Sequence, residues 1–243
     1  MLNKAKGRMF KSVGWTWNPA YGCDHSCPYK CWAREIVVER WKKEWIPTFR
    51  EHYMKDKFPN DGTWIFVCSM GDLFCSGMKD EWVLEILYKI KNTEADNKFL
   101  FVTKNPFGYL AFGLELEDIK DKIILGTTIE TNRPMSGRAP SSEKRYEDLK
   151  IMREAGFRTF VSMEPIADFD LEIIKEWLFQ LQPEAIEIGL ESRTNVFKKP
   201  SDEKMLSLIS WLDEHGFPYM LKENLSRLSS LTQKPKESVN NAE

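Results

Sequence analysis

The sequence predicts an α/β fold with a largely parallel sheet, and two features of the 243 residues support this class. From about residue 60 onward, short apolar runs rich in β-branched and aromatic residues alternate with stretches of helical periodicity. Several of the apolar runs are nearly continuous, which is typical of parallel strands buried on both faces. Repeated strand–helix units are joined by right-handed crossovers, so the chain forms either an open doubly wound sheet or a barrel.

Seven strands are predicted from these runs. The first, Val13–Trp17, precedes a cysteine-rich loop, and a long connection occupies residues 45–63. The other six strands are Trp64–Cys68, Phe99–Thr103, Ile123–Thr127, Thr159–Met163, Ala185–Leu190 and Tyr219–Leu221.

Four helices are predicted between the strands. Residues Asp80–Lys91 carry a one-sided apolar stripe, and Glu143–Glu154 is followed by a glycine that can end a helix. Asp170 and Ser201 each precede a helical pattern and are predicted as N-caps, because their side-chain oxygens can accept from free backbone N–H groups.

Composition narrows the class of protein. Hydrophobic residues make up 42% and aromatic residues 13%, which is enough to fill a core and excludes wholesale disorder. A net charge of −2 gives no support to a broad nucleic-acid-binding face. The N-terminus lacks the apolar run of a signal peptide, and no window is apolar enough to span a bilayer, so no membrane partner is expected.

A single domain is predicted over residues 1–229, because no change of composition divides them. Residues 230–243 are polar and unpatterned and are predicted to form a flexible tail. The clustered cysteines do not resemble a disulfide framework, so the expected location is the reducing cytoplasm.

Three of the five cysteines lie within nine residues: Cys23, Cys27 and Cys31, spaced Cys-x3-Cys-x3-Cys. Thiolates are soft ligands, and three of them suit a 4Fe–4S cluster whose fourth iron binds a small ligand. Zinc with His25 as a fourth ligand is the alternative. Alternate residues such as Cys23 and His25 tend to point apart, so the spacing favours iron–sulfur but leaves both metals open.

Polar side chains follow every predicted strand. Because the carboxyl ends of parallel strands lie on one side of the fold, we expect these side chains to lie close to the cysteine loop at that end of the sheet or barrel. The residues at these strand ends include the polar Ser69, Asp72, Lys104, Glu130, Glu164, Arg193 and Lys222, together with Gly71. Cys68 is predicted to be a small buried residue, whereas Cys75 has no assigned role.

Four segments carry a resemblance to a known family: Asn18–Cys23, Ser69–Phe74, Thr103–Pro106 and Ser162–Pro165. In this order they resemble an uncharacterised, radical SAM-like family of phage and prokaryotic proteins with a three-cysteine motif. The cysteine loop is similar to the cluster loop of radical S-adenosylmethionine (SAM) enzymes, whose usual spacing is Cys-x3-Cys-x2-Cys. Here Lys30, after Tyr29, lengthens the last gap by one residue. The resemblance covers roughly residues 14–225.

The resemblance implies a partial or complete (β/α) TIM-like barrel of six to seven parallel strands. It also implies a 4Fe–4S cluster on Cys23, Cys27 and Cys31, with SAM on the open iron. Such an enzyme generates a 5′-deoxyadenosyl radical and takes its electron from a reductant such as flavodoxin or ferredoxin. The resemblance names no substrate, and loose analogy within radical SAM enzymes points to a nucleobase or tRNA.

The resemblance also implies roles for six strand-end residues as the SAM-binding set. Ser69, Gly71 and Asp72 stand where radical SAM enzymes commonly meet the SAM amino group. Lys104 is placed to pair with the SAM carboxylate or an anionic substrate. Glu130 and Glu164 suit the ribose hydroxyls or the substrate.

Two alternative functions remain open from the sequence. The first is a non-catalytic barrel in which zinc or a cluster staples the cysteine loop to the sheet. The second is a barrel that binds nucleic acid or phosphate through a cationic lining of Lys104, Arg133, Arg193 and Lys222.

Overall fold

The strands and helices alternate as predicted in a computed structural model that describes residues 2–7, 9–191 and 193–228. The strands in this part of the chain are β1 (Leu2–Lys4), β2 (Val13–Trp17), β3 (Ala20–Tyr21), β4 (Thr48–Phe49), β5 (Trp64–Val67), β6 (Lys98–Thr103), β7 (Ile123–Thr128), β8 (Thr159–Ile166), β9 (Ala185–Leu190) and β10 (Tyr219–Leu221).

The helices run mainly between strands of the large sheet. They are α1 (Trp32–Glu35), α2 (Asp80–Lys91), α3 (Phe107–Ala111), α4 (Gly113–Glu117), α5 (Ser142–Glu154), α6 (Leu171–Leu181) and α7 (Asp202–Glu214). A turn of π-helix, Ile36–Arg40, continues α1, and short 3-10 helices occupy Glu51–Lys55, Lys120–Lys122 and Glu223–Leu225.

Eight strands form one curled sheet in the order β1-β2-β5-β6-β7-β8-β9-β10, and β3 pairs separately with β4. Every neighbouring pair in the large sheet is parallel except β1 with β2. The predicted α/β class with a mostly parallel sheet is therefore confirmed. Among the described residues the edge strands β1 and β10 do not pair, so this sheet is an open half-barrel, flanked by the antiparallel β1 that the sequence did not predict.

The inner face of the curl is filled by aromatic and aliphatic side chains near the amino ends of the strands. Phe10, in the connection from β1 to β2, lies between Phe66 and Phe160, with ring centroids 5.3 and 5.1 Å away. Leu100 and Ile124 complete the same cluster. Because this end is packed with apolar groups, the space for polar chemistry lies at the carboxyl ends.

The β1–β2 connection also links the two sides of the open curl. The Nζ of Lys11 donates to the carbonyl of Leu221 at 3.1 Å, and the backbone N–H of Ser12 donates to Glu187 Oε1 at 3.1 Å. These bonds join the start of the chain to β9 and β10 without a backbone ladder.

Of the two predicted helix N-caps, one makes its side-chain hydrogen bond to the helix and the other does not. Ser201 Oγ accepts from the backbone N–H of Lys204 at 3.2 Å, as predicted. Asp170 is the N-cap residue of α6 as predicted, but its carboxylate does not accept the expected hydrogen bond from a backbone N–H at the start of the helix. It accepts instead from Arg133 Nη2 at 2.7 Å and Asn132 Nδ2 at 2.9 Å, and the charged guanidinium is the stronger donor.

The domain boundary predicted at residue 229 stays a prediction, and the predicted tail at 230–243 lies outside the described residues. In the part of the chain that the structure describes, no helix has the length and apolar character needed to cross a bilayer.

Replacing Phe160 by alanine should lower the free energy of unfolding by about 3–5 kcal/mol, because the ring is fully buried and leaves a cavity against Phe10. Urea unfolding measures the change. The control is Phe107→Ala, where a ring that is 58% exposed is removed and the change should stay within about 0.5 kcal/mol. Equal effects in the two variants would contradict the packing of the inner face.

Candidate functional site

The cysteine loop is bonded to the loop that follows β5. Gly22, directly before Cys23, forms a parallel bridge with Gly71: the Gly22 N–H donates to Met70 O at 3.1 Å, and the Asp72 N–H donates to Gly22 O at 3.2 Å. A Cβ on Gly71 would lie 2.5 Å from the nitrogen and oxygen of Gly22. Glycine is therefore required at Gly71 for the two backbones to approach this closely.

A second contact joins the same two loops through buried side chains. Asn18 Oδ1 accepts from Ser69 Oγ at 3.1 Å and from the backbone N–H of Met70 at 2.9 Å. Two segments that are far apart in the sequence, Asn18–Cys23 and Ser69–Phe74, are thus direct partners at the carboxyl ends of β2 and β5.

Asp72 is buried and ties three segments together. Its carboxylate accepts from the backbone N–H of Phe74 at 3.0 Å, from the backbone N–H of Lys104 at 2.8 Å and from His25 Nε2 at 2.6 Å. Burial acts to raise the pKa of Asp72, but His25 and the hydrogen bonds outweigh it and the pKa is lowered from its usual value. His25 lies between Cys23 and Cys27, so this contact fixes the cysteine loop.

The three thiols of the loop are half-buried neighbours, and all five cysteines are free. Burial raises the pKa of Cys23, and Asp72, Cys31 and Cys27 raise it further. Burial also raises the pKa of Cys31, with Cys27 adding to the effect, while the backbone N–H groups of Arg34 and Ala33 partly offset it. Without a metal the thiols of Cys23 and Cys31 therefore hold their protons, and a bound metal must displace them.

The choice between a cluster and a single ion depends on how closely the donor atoms must converge. Tetrahedral zinc needs four ligands around one point. Within residues 2–7, 9–191 and 193–228, no three His, Cys, Asp or Glu side chains are arranged to hold one metal ion. In a 4Fe–4S cubane each of three thiolates binds a different iron, so the three sulfur atoms need not point at one metal ion. The cysteine loop offers three free thiols for such a site.

Tyr29, midway between Cys27 and Cys31, fastens the second half of the loop to β6 and β7. Lys104 Nζ donates to the Tyr29 hydroxyl and to Glu130 Oε1, and the hydroxyl donates to the same carboxylate oxygen at 3.2 Å. The ammonium lies 4.5 Å from the centroid of the Tyr29 ring. Two predicted SAM-binding residues thus meet each other and the cysteine loop.

Arg145, in the first turn of α5, also contacts Glu130. Its Nη1 donates to Glu130 Oε2 at 2.8 Å and to the carbonyl of Thr128, and its Nη2 donates to Ser142 Oγ at 2.9 Å. Burial opposes ionisation of Glu130, but the charges of Arg145 and Lys104 prevail and lower its pKa to about 2. Glu130 is therefore a buried, ionised carboxylate held by two cations.

Lys30, the extra residue of the loop, points outward. Its Nζ lies 3.2 Å from Glu35 Oε2 and 4.0 Å from Glu39 Oε1, and its side chain is about half exposed. Arg193 also pairs with Glu35. The lengthened gap is therefore absorbed on the surface side of the loop, away from the thiols.

The last predicted SAM-binding residue, Glu164, lies with Lys222 on the far side of the curl. Lys222 Nζ is 3.6 Å from Glu164 Oε2 and 3.5 Å from the buried Glu187 Oε2. Gly189 leaves room for them, since a Cβ there would lie 2.8 Å from Lys222 Cγ. Glu164 is the more open of the two carboxylates, with 30% of its side chain exposed.

The cationic lining proposed for nucleic acid does not form as such. Each of its four members faces at least one carboxylate: Lys104 with Glu130, Arg133 with Asp168 and Asp170, Arg193 with Glu35, and Lys222 with Glu164 and Glu187. Neutralised cations attract phosphate weakly, so this arrangement argues against the nucleic-acid alternative.

The remaining cysteines lie outside the loop. Cys68 and Cys75 are buried, and burial raises the pKa of Cys68 to about 12. The expectation that Cys68 is a small buried residue is confirmed, and the structure places Cys75 in the same apolar core.

Replacing Gly71 by alanine should lower the free energy of unfolding by about 2–4 kcal/mol, because the added methyl meets backbone atoms that cannot turn aside. The matched control is Gly113→Ala, since a Cβ at the start of α4 meets nothing within 4 Å. Thermal unfolding and proteolysis of the cysteine loop report the two changes. A tolerated Gly71→Ala would disprove the close approach of the loops.

Replacing Glu130 by glutamine should cost about 3 kcal/mol of stability at neutral pH, because two buried cations lose their counter-charge. The folded pKa lies below the ordinary 4.5, so the stabilisation is present above that pH and is lost as the pH falls toward about 2. Urea unfolding across this range should show the two proteins converging at low pH. The exposed Glu154→Gln serves as control, and a gap that does not change with pH would refute ionisation of Glu130.

Several solved structures share this fold, and two of them are described here. A mutant of spore photoproduct lyase with bound AdoMet and dinucleoside spore photoproduct superposes with a TM-score of 0.60 at 13% identity, covering 88% of this chain and 78% of that one. Streptococcus suis SuiB bound to S-adenosylmethionine gives a TM-score of 0.51 at 10% identity, covering 85% of this chain. The match spans 49% of SuiB, so this chain corresponds to about half of that protein.

At these identities the similarity concerns the fold alone, a curled and mostly parallel sheet similar to that of radical SAM enzymes. No curated protein matches the sequence. A family model described as "Protein of unknown function (DUF5131)" matches residues 10–180, which include the three cysteines and most of the strand ends described above. The chain therefore belongs to the DUF5131 family.

Proposed function

We propose that this protein is a radical SAM-type iron–sulfur enzyme. The observation that carries the proposal is the position of the cysteine loop: three neighbouring thiols, fixed by Asp72 and Tyr29, at the carboxyl ends of a curled parallel sheet. Two proteins whose structures contain SAM share this fold, which supports the same cofactor here.

Cys23, Cys27 and Cys31 are the proposed ligands of a 4Fe–4S cluster. When bound and reduced, such a cluster with SAM supplies a 5′-deoxyadenosyl radical. The protein's own part is to hold the thiols in place and to shield the site: Tyr21 is buried in the cluster against which Cys31 packs. The alternative is zinc on the same thiols with His25, whose Nε2 is bonded to Asp72, so that the other ring nitrogen, Nδ1, would be the ligand atom.

The six strand-end residues divide into two groups in this proposal. Ser69, Gly71 and Asp72 set the position of the cysteine loop and leave backbone groups of the β5 loop for the SAM amino group. Lys104 and Glu130 hold Tyr29, and they would contact SAM from within that network. Glu164 has the most accessible carboxylate and suits ribose hydroxyls or substrate. The substrate itself, predicted as a nucleobase or tRNA, stays a prediction.

Anaerobic reconstitution with iron and sulfide tests the proposal. About four irons and four sulfides per chain are expected, with loss of most iron in Cys27→Ala. The control is Cys68→Ala, which removes a buried thiol outside the loop and should keep the iron. With dithionite and SAM, the loaded protein should release 5′-deoxyadenosine, measured by chromatography.

Stoichiometric zinc with no iron would contradict the cluster and support the non-catalytic alternative. A loaded cluster that yields no 5′-deoxyadenosine would contradict radical chemistry while leaving the metal site intact.

A further inference from the structure

The segment that follows the third cysteine exposes an unusual number of large apolar side chains. Trp32, Val38, Trp41 and Ile46 are 38%, 42%, 36% and 53% exposed. Exposed tryptophans grouped in this way typically mark a contact surface, since Trp is enriched among residues that dominate binding energy. We call residues 30–46 the α1 surface.

The α1 surface stands on a rigid base. Ala33 and Val37 are buried in a cluster with Tyr21 and Met70, next to the cysteine loop. The ring of Trp41 meets Tyr21 edge-on at 5.9 Å. The guanidinium of Arg50 lies 4.8 Å from the Trp41 ring centroid. These contacts fix the exposed groups in place, so a partner would bind without ordering them first.

The cations of the α1 surface differ in their pairing from those at the carboxyl ends of the strands. Arg34, Arg40, Lys42 and Lys43 are exposed, and none of them forms an ion pair with a carboxylate in the described part of the chain. At the carboxyl ends of the strands, by contrast, cations such as Lys104 and Lys222 face carboxylates. Glu44 is the only exposed carboxylate of the segment outside the Lys30 and Arg193 pairs. The surface is therefore apolar with a positive rim, which complements an acidic protein.

The α1 surface is also adjacent to the proposed cluster site. Cys31 is the N-cap residue of α1. The helical residues from Trp32 to Arg40 span only about 14 Å. A standard interface covers about 800 Å² on each partner, so one docked protein would cover the segment and reach the edge of the cysteine loop.

We propose that the α1 surface docks a small acidic one-electron carrier protein of the flavodoxin or ferredoxin type. The inference rests on the proposed function, because a radical SAM cluster must receive an electron. In the step served by this surface, one electron leaves the reduced carrier and enters the oxidised cluster, so the carrier is oxidised by one electron and no covalent bond changes. A nucleic acid fits less well, since its binding depends on cations and phosphates and leaves four aliphatic and indole groups without a role.

The test measures binding and electron delivery separately. An acidic flavodoxin is the probe, and its Kd for the full-length protein is measured by calorimetry at low salt. The double charge reversal Lys42→Glu/Lys43→Glu should raise Kd by at least about tenfold, and the effect should shrink with added salt. Lys55→Glu/Lys57→Glu is the matched control, because it makes the same charge change on exposed lysines before the amino end of β5.

In the loaded enzyme, the Lys42/Lys43 variant should lose at least about tenfold in flavodoxin-driven 5′-deoxyadenosine formation at limiting flavodoxin, but keep its dithionite-driven rate. Absence of flavodoxin binding to the unaltered protein would overturn the proposal, as would equal Kd changes in both double variants. A selective loss of affinity for a single-stranded RNA oligonucleotide, with flavodoxin binding unchanged, would also overturn it. Because Kd is measured without turnover, failure of the radical reaction leaves this test intact.

Discussion

The buried carboxylate of Asp72 determines where the cysteine loop can lie. It accepts from its own loop through Phe74, from the end of β6 through Lys104, and from the cysteine loop through His25. A buried carboxylate that loses a donor is costly, so these three segments are held at one fixed separation. Lys104 also takes part in the second set of contacts that holds the cysteine loop, since its ammonium donates to Tyr29 and Glu130. The two halves of the cysteine loop are thus anchored at a single residue, Lys104, which directly follows β6.

The strands were predictable because their burial on both faces leaves continuous apolar runs, and α2 was predictable residue for residue because its stripe faces the sheet. The meeting of polar residues at one end followed from parallel topology alone. The hydrogen-bond and ion-pair partners of these polar side chains were not predictable from topology. Arg145 comes from the first turn of a helix, and its contact with Glu130 depends on how α5 packs against β7. The short antiparallel strand β1 has three residues and no periodicity to detect.

Several single-residue interpretations changed because neighbouring charges compete. Asp170 stands at the start of a helix, yet Arg133 captures its carboxylate. Asp72, considered for an ammonium group, already accepts from three donors. The cations that appeared to line a polyanion site are each opposite a carboxylate. A linear sequence gives the positions of charges along the chain, whereas their neutralisation depends on loops that are far apart in sequence.

The outward direction of Lys30 has a consequence for how such loops change during evolution. Cys27 and Tyr29 precede it and Cys31 starts a helix after it, so the backbone on both sides is fixed by other contacts. An insertion at this point adds a solvated side chain and moves no donor atom out of reach. A loop of this kind can therefore take a different length between its second and third cysteines without loss of the contacts that hold the tyrosine.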